Sequence, residues 1–378
     1  MKKIFWIAGE KSGDLHASYV MEQLNNSHPE LLHLGIGGPR MEKFAFKPLF
    51  PFERFSVMGF AEVIKHLYFF LQVEKRIKTL FRKDPPALVV LVDYPGLNLR
   101  IARIAKKFHL PVLYYICPQF WAWKKKRLLD LATFTDHVAY ILPFEGKFLK
   151  EYNINSTYVG HPIAEEITIA LSKKEFAEKY DLDLNKKWLG FLPGSRDNEI
   201  KKMLPVYLDA MSKLADQNFQ FLLSCSDSVS RTIFHNQVQK FPIKNLKIIY
   251  QDNYCLMKFS DLVIATSGTA TLETAYLGTP FIIAYKAHQI SFELGKRFIR
   301  IKRIGLPNII LDKDLAPELI QKYATAENIA LQIKKILFDP NRYQDFKKNL
   351  EQLHDLLGKN SAARKTAEII FDLLKCEK

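Results

Sequence analysis

The stretch DLVIATSGTATLETAYLGTPFIIA, residues 261–284, places two apolar runs on either side of a glycine turn and one short helical segment. Each run has the length of a buried strand, and Gly278 follows the helical segment where helices commonly end. A strand, a helix and a second strand in that order form the unit from which parallel sheets are built. We therefore expect a βαβ unit here.

Similar apolar runs alternate with helical patterns along the whole chain, and a polar stretch at 172–187 separates two such series. The runs predict strands at Ile4–Ala8, Ala87–Val92, Val112–Ile116, Trp188–Leu192, Phe219–Ser224, Lys247–Tyr250, Leu262–Ala265 and Phe281–Tyr285. This alternation predicts an α/β fold with two Rossmann-like domains whose parallel sheets face a cleft. We expect the first domain at 1–170, the second at 185–345, and C-terminal helices at 346–378 that pack back towards the first domain.

The composition indicates a folded protein with an anionic partner. The 378 residues are too many for one ordinary core, and 48% of them are hydrophobic. The formal net charge of +15 favours nucleic acid, a phosphorylated substrate or an anionic lipid surface as the partner. The four cysteines lie far apart, which argues against a zinc site or a disulfide framework and fits a reducing cytoplasm. No apolar run approaches the length of a membrane span.

Polar residues follow two predicted strands of the second domain, where helix N-termini attract anions. They are Gly194, Ser195 and Arg196 after one strand, and Ser267, Gly268, Thr269 and Glu273 after the other. Hydroxyls and backbone amides can donate to a diphosphate, and Arg196 can neutralise the charge of a diphosphate leaving group. Glu273 would be repelled by phosphate but can accept hydrogen bonds from a ribose diol. A capped helix and an ordinary surface arginine remain the alternatives.

The first domain has polar strand ends of its own. Asp93 directly follows an apolar strand, where its carboxylate could take a proton, although an Asx turn or a helix cap before Pro95 explains it equally well. Glu10, Ser12 and Gly13 lie in a glycine turn after the first strand, on the side expected to bind an acceptor. This turn lacks the GxGxxG fingerprint, which argues against a dinucleotide. We expect no cofactor.

Taken together, these segments resemble the lipid-A-disaccharide synthases, inverting glycosyltransferases with the two-Rossmann GT-B fold. The matching motifs run in family order and cover most of the chain. The most telling are WAW with the basic residues that follow it, and GLPN. They are AGEKSGD (8–14), GIGGPRM (35–41), VMGFAEV (57–63), VDYPGLN (92–98), CPQFWAWKKKR (117–127), ILPFE (141–145), VGHP (159–162), LPGSR (192–196), SGTATLE (267–273) and GLPN (305–308).

The resemblance implies that a 2,3-diacylglucosamine unit passes from its UDP derivative to 2,3-diacylglucosamine 1-phosphate, giving a β-1,6 disaccharide and UDP. It implies that Asp93 is the base, that Arg196 is a catalytic or phosphate-contacting arginine, and that Asn308 is the polar residue of the LPN motif. Glu273 and its hydroxyl turn match the nucleotide site. The chain departs from the family at Gly96, where a second acid is frequent, and at Cys117, where the family has serine.

Two DxD sequences, Asp181–Asp183 and Asp312–Asp314, could suggest a metal-bound diphosphate. Neither follows a predicted strand end at which such a diphosphate would lie. A base in one domain and an anion site in the other meet the needs of the reaction, so we expect no metal.

The excess of basic over acidic residues suggests that the protein binds an anionic membrane surface. Phe69 and Phe70 widen an apolar helix face, and Lys296, Arg297 and Arg300 are interleaved with further apolar residues. An amphipathic core helix with a solvated basic edge is the alternative. The basic run 124–127 after WAW has no accompanying RNA-binding motif, so no nucleic acid is expected.

We accordingly expect a cytoplasmic enzyme bound peripherally to the inner face of the inner membrane, and a homodimer is left open. Rival functions are another GT-B enzyme acting on a UDP-sugar, against which WAW and GLPN argue, and a non-catalytic basic protein that binds membrane or nucleic acid. The latter would explain the charge but not the acids and glycine turns at the strand ends.

Overall fold

The computed structural model describes residues 2–56, 67–118, 126–215, 217–266, 268–286, 303–358 and 362–375. The chain divides into two units, one formed by Met1–Pro162 with Asn360–Lys378, and the other by Ile163–Lys359. The first unit is therefore discontinuous in sequence.

Parallel strands form the centre of the first unit. They are β1 (Lys3–Ala8), β2 (Leu32–Ile36), β3 (Phe46–Pro48), β4 (Leu88–Val92), β5 (Val112–Tyr115), β6 (His137–Tyr140) and β7 (Ser156–Tyr158). Their order across the sheet is β3-β2-β1-β4-β5-β6-β7, so the order reverses between β1 and β4. In the register of these two central strands, Ala8 lies opposite Val92. The helices between the strands are α1 (Lys11–Ser27), α2 (Pro39–Glu42), α3 (Glu53–Ser56), α4 (Leu67–Lys83), α5 (Pro95–Lys107), α6 (Lys126–Phe134) and α7 (Glu145–Glu151).

The second unit repeats this plan. Its strands are β8 (Lys187–Leu192), β9 (Phe219–Ser224), β10 (Leu246–Ile249), β11 (Leu262–Ala265), β12 (Phe281–Tyr285) and β13 (Glu318–Ile320), in the order β10-β9-β8-β11-β12-β13. Its helices are α8 (Ile163–Glu166), α9 (Lys173–Tyr180), α10 (Asp197–Ser212), α11 (Arg231–Val238), α12 (Asn253–Phe259), α13 (Thr269–Tyr276), α14 (Leu306–Leu311), α15 (Ala326–Leu337) and α16 (Pro340–Leu357), with a 3₁₀ turn at Gln321–Tyr323. The order reverses between β8 and β11.

The last helix, α17 (Ala362–Lys375), belongs to the first unit and contacts α1. The helices predicted within 346–378 therefore lie in different units, since α16 belongs to the second.

Both faces of the first sheet are covered, because alternate side chains of a strand point to opposite faces. Phe5 and Ile7 of β1 contribute to a core cluster with apolar residues of α4 and α5. Trp6 and Ala8 contribute to a cluster with residues of α1 and α17 on the other face. Helices on both faces explain why the central strands are continuous apolar runs without polar alternation.

The predicted α/β class with two Rossmann-like units of parallel strands is confirmed. Strands expected from the apolar runs are present, with ends that differ by at most one residue. Several strands were not predicted, namely β2, β3, β6, β7 and β13. These are short and carry polar or glycine residues, as in Ser156–Tyr158, so their sequences lack a continuous apolar signal.

Among the described residues, no helix combines the length and the apolar character that crossing a bilayer requires.

Candidate active site

Most of the residues predicted to act on substrate follow the central strands of the two sheets; Asn308, on α14, does not. In doubly wound sheets, ligands bind outside the carboxyl ends of the strands at the point where the strand order reverses. In the first unit that point lies after β1 and β4, where Glu10 and Asp93 are found. In the second it lies after β8 and β11, and the Thr266 N–H donates to the Leu192 carbonyl at 3.1 Å. The two loops of the second unit therefore leave the sheet side by side.

Asp93 lies in a strained turn between β4 and α5. Asp93 and Tyr94 both have φ near 44°, the left-handed region that side chains other than glycine rarely adopt. The Asp93 N–H donates to the Tyr115 carbonyl at 2.9 Å. The Asp93 carbonyl accepts two hydrogen bonds, from Asn98 Nδ2 at 2.7 Å and from the Tyr114 hydroxyl at 2.6 Å. Sequence analysis did not identify Asn98 or Tyr114.

The surroundings of the Asp93 carboxyl raise its pKa to about 6. Burial is the main cause and the negative charge of Glu10 adds to it, while His16 and Arg127 act in the opposite direction. A carboxyl group with this pKa is largely ionised at neutral pH and still accepts a proton readily. It is thus well suited to act as a general base.

The glycine turn after β1 combines exposed and buried residues. Glu10 and Ser12 are exposed, whereas Gly13 is buried at the start of α1. The neighbouring Asp14 was not assigned a role from sequence. Its carboxylate accepts backbone N–H bonds from Gly38, Arg40 and Met41 at 2.8–3.1 Å. Asp14 thereby ties the first glycine turn to the second motif, GIGGPRM.

The LPGSR loop after β8 is organised by Glu199. Glu199 Oε2 accepts the Ser195 N–H at 2.9 Å, and Oε1 accepts from Arg196 Nη1 at 3.1 Å. Gly194 has φ 119°, and a Cβ there would lie 2.6 Å from the Glu199 Cβ, so a larger residue is strained and crowded. The Arg196 side chain is 80% exposed and could exchange Glu199 for an anionic ligand.

The SGTATLE loop after β11 leads into α13. Ser267 lies outside the described residues. Gly268 and Thr269 are exposed, and apart from Gly268 and its two chain neighbours no described residue has an atom within 4 Å of a Cβ built at Gly268. Glu273 lies one turn into α13. Burial, with a contribution from Glu166, raises the pKa of its carboxyl to about 7. Hydrogen-bond donors placed beside the Glu273 carboxyl would stabilise its ionised form.

Asn308 of the GLPN motif is 1% exposed. Its Nδ2 donates to the Ala316 carbonyl at 2.8 Å and to Glu318 Oε1 at 2.9 Å, and its Oδ1 accepts the Ala316 N–H at 2.9 Å. These bonds hold α14 against the start of β13 and the segment before it. A direct role for Asn308 towards substrate stays a prediction.

Three of the four acids in the two DxD sequences pair with basic side chains, whereas Asp183 accepts the Asn185 N–H at 2.9 Å. Asp181 bonds to Lys247 at 2.7 Å, while Arg303 contacts both Asp312 and Asp314. Within the described ranges, no group of three or more potential metal ligands is found. That the enzyme works without a metal stays a prediction.

The structure corrects the expected orientation of helix α4. Phe70 is 8% exposed and belongs to the core cluster, and Phe69 packs against it with ring centroids 5.7 Å apart. The apolar side chains on the surface are Tyr68, 73% exposed, and Leu71, 49% exposed. Burial of Phe70 against β-sheet and α3 residues leaves it unable to contact a bilayer. Lys296, Arg297 and Arg300 lie outside the described residues.

A groove of about 740 Å³ runs along the exposed side of α4. Its lining combines apolar side chains with basic ones: Leu49, Phe50, Tyr68, Leu71, Gln72, Lys75, Arg76, Ile77, Thr79, Leu80 and Lys83. We call it the α4 groove. Basic and apolar groups in one groove suit an amphipathic anion.

Solved structures share this architecture. The chain is similar to a UDP-GlcNAc 2-epimerase from Neisseria meningitidis bound to UDP-GlcNAc, with 11% identity, a TM-score of 0.64, and 98% of this chain and 99% of that one covered. It is also similar to CalG4, the calicheamicin glycosyltransferase, with 13% identity, a TM-score of 0.60, and 100% and 99% coverage. The fold is therefore of the GT-B class, shared by glycosyltransferases and epimerases.

The sequence narrows this class to one family. The family model described as Lipid-A-disaccharide synthetase matches residues 4–371. The lipid-A-disaccharide synthase of Trichlorobacter lovleyi is 35% identical over 379 residues, with 99% of this chain and 98% of the relative covered. This chain belongs to the lipid-A-disaccharide synthase family, and the predicted resemblance is confirmed. It is a glycosyltransferase of lipid A biosynthesis, and its family implies a substrate of the UDP-sugar type.

Proposed function

We propose that the protein joins UDP-2,3-diacylglucosamine to 2,3-diacylglucosamine 1-phosphate, forming the β-1,6 disaccharide 1-phosphate and UDP with inversion and without a metal. Family membership supports the choice of substrates. The observation that carries the mechanism is the Asp93 carboxyl, which lies at a strand end in a strained turn and has its pKa raised to about 6.

Asp93 is assigned the role of general base. The 6-hydroxyl of the acceptor must lose a proton while its oxygen attacks the anomeric carbon of the donor. An ionised Asp93 takes that proton, and attack from the side opposite UDP inverts the configuration. Positioned proton transfer of this kind contributes about 10²–10⁴-fold to a rate.

The second unit is assigned the nucleotide. The backbone N–H groups at the start of α13 and in the LPGSR loop donate to the diphosphate, and Arg196 leaves Glu199 to neutralise the charge that develops there. Glu273, one turn further into α13, accepts hydrogen bonds from the ribose hydroxyls. These contacts stabilise the leaving group without a metal ion.

The acylated substrates are proposed to reach the enzyme from the inner face of the inner membrane, on the cytoplasmic side. The α4 groove supports this, since Tyr68 and Leu71 offer apolar surface while Lys75 and Lys83 offer positive charge. The net charge of +15 strengthens attraction to anionic lipid.

The function is tested by incubating the purified protein with both acylated sugars and following disaccharide and UDP by mass spectrometry. The matched control replaces the acceptor with its 6-deoxy analogue, which lacks only the attacking hydroxyl. We expect stoichiometric disaccharide and UDP from the full pair and neither product from the 6-deoxy acceptor. Release of UDP without disaccharide would contradict the transferase assignment.

A further inference from the structure

We propose that Asn98 and Tyr114 are positioning residues for the Asp93 carboxylate. They hold the peptide carbonyl of Asp93 and thereby fix the direction in which its side chain leaves β4. The inference rests on the proposed role of Asp93 as the base.

The turn that carries Asp93 would not keep its shape by itself. Asp93 and Tyr94 are consecutive residues with φ near 44°, which L-amino acids disfavour because Cβ approaches the backbone. Tyr94 also precedes Pro95, and the residue before a proline prefers extended backbone. Such a conformation persists only where its surroundings hold it, and it is found mainly at functional sites. The same device, a sharp strained turn from strand to helix, presents the nucleophile of α/β-hydrolases.

Two side chains hold this turn through one oxygen atom. The Asp93 carbonyl accepts Asn98 Nδ2 at 2.7 Å and the Tyr114 hydroxyl at 2.6 Å. Asn98 Nδ2 also lies 3.1 Å from the Val92 carbonyl, so one amide spans the last strand residue and the first strained one. With its carbonyl fixed from two directions, the Asp93 peptide cannot rotate to a relaxed conformation without breaking both bonds.

The ring of Tyr94 fixes the other side of the turn. A Cβ added at Gly9 would lie 2.8 Å from two ring atoms of Tyr94, so the ring rests directly on the loop after β1. Gly9 is thus a position of close approach, and the strained turn is confined between this loop and the two donors.

Asn98 and Tyr114 carry polar groups although both side chains are fully buried, and this calls for a physical explanation. A buried amide or hydroxyl costs free energy relative to an apolar side chain of similar size unless it is hydrogen-bonded. The Tyr114 hydroxyl and the shortest hydrogen bond of the Asn98 amide are directed to the same carbonyl. Leucine at 98 or phenylalanine at 114 would fill the core equally well, but neither would hold Asp93.

Tyr114→Phe is the primary test, since it removes one hydroxyl and keeps the ring. We expect kcat to fall about 10- to 100-fold, as for a reacting group displaced by a fraction of an ångström, while KM for both sugars stays within about twofold. Asn98→Ala should lower kcat in the same direction. The matched control is Tyr343→Phe, which removes a tyrosine hydroxyl that donates to the Asp261 carbonyl at 3.1 Å in the second unit. Its kcat should be unchanged.

A double-mutant cycle separates positioning from general stabilisation. If Tyr114 acts through Asp93, adding Tyr114→Phe to Asp93→Asn should cause no further loss of turnover. Equal fold-losses in both backgrounds, or an unchanged kcat in folded Tyr114→Phe, would overturn the positioning role. Near-normal turnover of Asp93→Asn alone would instead remove Asp93 as the base, and this inference with it. Should Asn98→Ala fail to fold, the Tyr114 cycle decides the question.

Discussion

Glu10 and Asp93 stand at the carboxyl ends of the two central strands of the first sheet, and Glu10 adds to burial in raising the pKa of Asp93 to about 6. The pairing of Ala8 with Val92 brings their two loops side by side. Glu10 is exposed, whereas Asp93 is partly buried. A surface acid thus tunes the basicity of the proposed catalytic one.

Replacing Glu10 by Gln should lower the pKa of Asp93, because one negative charge that disfavours its ionisation is removed. The acidic limb of kcat/KM against pH should then move to lower pH by less than about one unit. Glu22→Gln, an equally exposed change on α1, should leave the limb in place. An unmoved limb in Glu10→Gln would show that Glu10 does not act on the base.

Asp93→Asn should lower turnover about 10²–10⁴-fold and stabilise the fold above pH 6. The folded-state pKa of about 6 exceeds the ordinary 3.8, so the ionised carboxyl opposes folding. Its contribution is most favourable below about pH 4 and is lost as the pH rises towards 6 and beyond. The difference in free energy of unfolding between the variant and the unchanged protein should therefore be about 1–3 kcal/mol more in favour of the variant at pH 8 than at pH 4. Urea titrations at the two pH values measure this gain, and a pH-independent difference would contradict it.

Binding of a UDP-sugar should strengthen as the pH rises through about 7 if Glu273 accepts hydrogen bonds from ribose as a carboxylate. Burial first, and Glu166 second, raise the pKa of Glu273 to about 7, so part of the free protein carries the protonated acid. Below that pKa, affinity should fall by up to about tenfold per pH unit. Calorimetry with a UDP-sugar is preferable to UDP, whose terminal phosphate titrates nearby. Glu166→Gln should move the midpoint to lower pH, and Glu273→Gln should abolish the dependence. A flat profile in the unchanged protein would return Glu273 to a structural role.

Activity should persist in excess chelator. Arg196 and the start of α13 are proposed to stabilise the leaving diphosphate, and Asp181, Asp312 and Asp314 of the DxD sequences already pair with Lys247 or Arg303. Turnover is compared with and without EDTA after dialysis. Loss of activity that Mg²⁺ or Mn²⁺ restores would reject the metal-independent mechanism.

Vesicle binding should have two separable parts. Lys75→Gln with Lys83→Gln should reduce the salt-sensitive fraction, because exposed charges are screened beyond about 10 Å at 0.1 M salt. Tyr68→Ser with Leu71→Ser should reduce the fraction that survives high salt, with little loss of stability.

Sedimentation with anionic vesicles measures both fractions. Phe70→Ser is the control to compare with the changes at Tyr68 and Leu71. Removing this buried ring should cost about 3–5 kcal/mol of stability, whereas the changes at the two exposed residues should cost little. Absence of vesicle binding at low salt, with acylated substrate present, would refute the membrane-surface proposal.

The features that could be predicted from the sequence are those that depend on residues close together along the chain. Apolar runs marked the central strands because each is buried on both faces, and the polar residues that end them could be placed from the strand positions alone. The orientation of α4 was misjudged although a signal exists. Phe70, Val73, Ile77 and Phe81 recur at helical spacing and form the buried stripe. The consecutive aromatics at 68–70 obscured it, since they cover every side of the helix.

Features that depend on strand order could not be predicted in this way. Tyr114 reaches the Asp93 carbonyl only because β5 lies beside β4, and a single sequence does not specify that neighbour. Asn98 was within the quoted VDYPGLN motif, yet its side chain could equally have pointed to solvent. Left-handed backbone at Tyr94 was not predictable either, since the residue is not glycine and precedes a proline, which favours extended backbone.

The return of α17 to the first unit has a consequence during synthesis on the ribosome. Ala363, Ala367, Ile370 and Leu374 complete the apolar cluster that includes α1, but they are translated after the whole of Ile163–Lys359. At about 5–20 residues per second, that delay is roughly 10–40 s. Throughout it, an apolar surface of α1 stays open to chaperones, proteases and other nascent chains. The unit whose sequence emerges first therefore cannot complete its core until the end of the chain has been made.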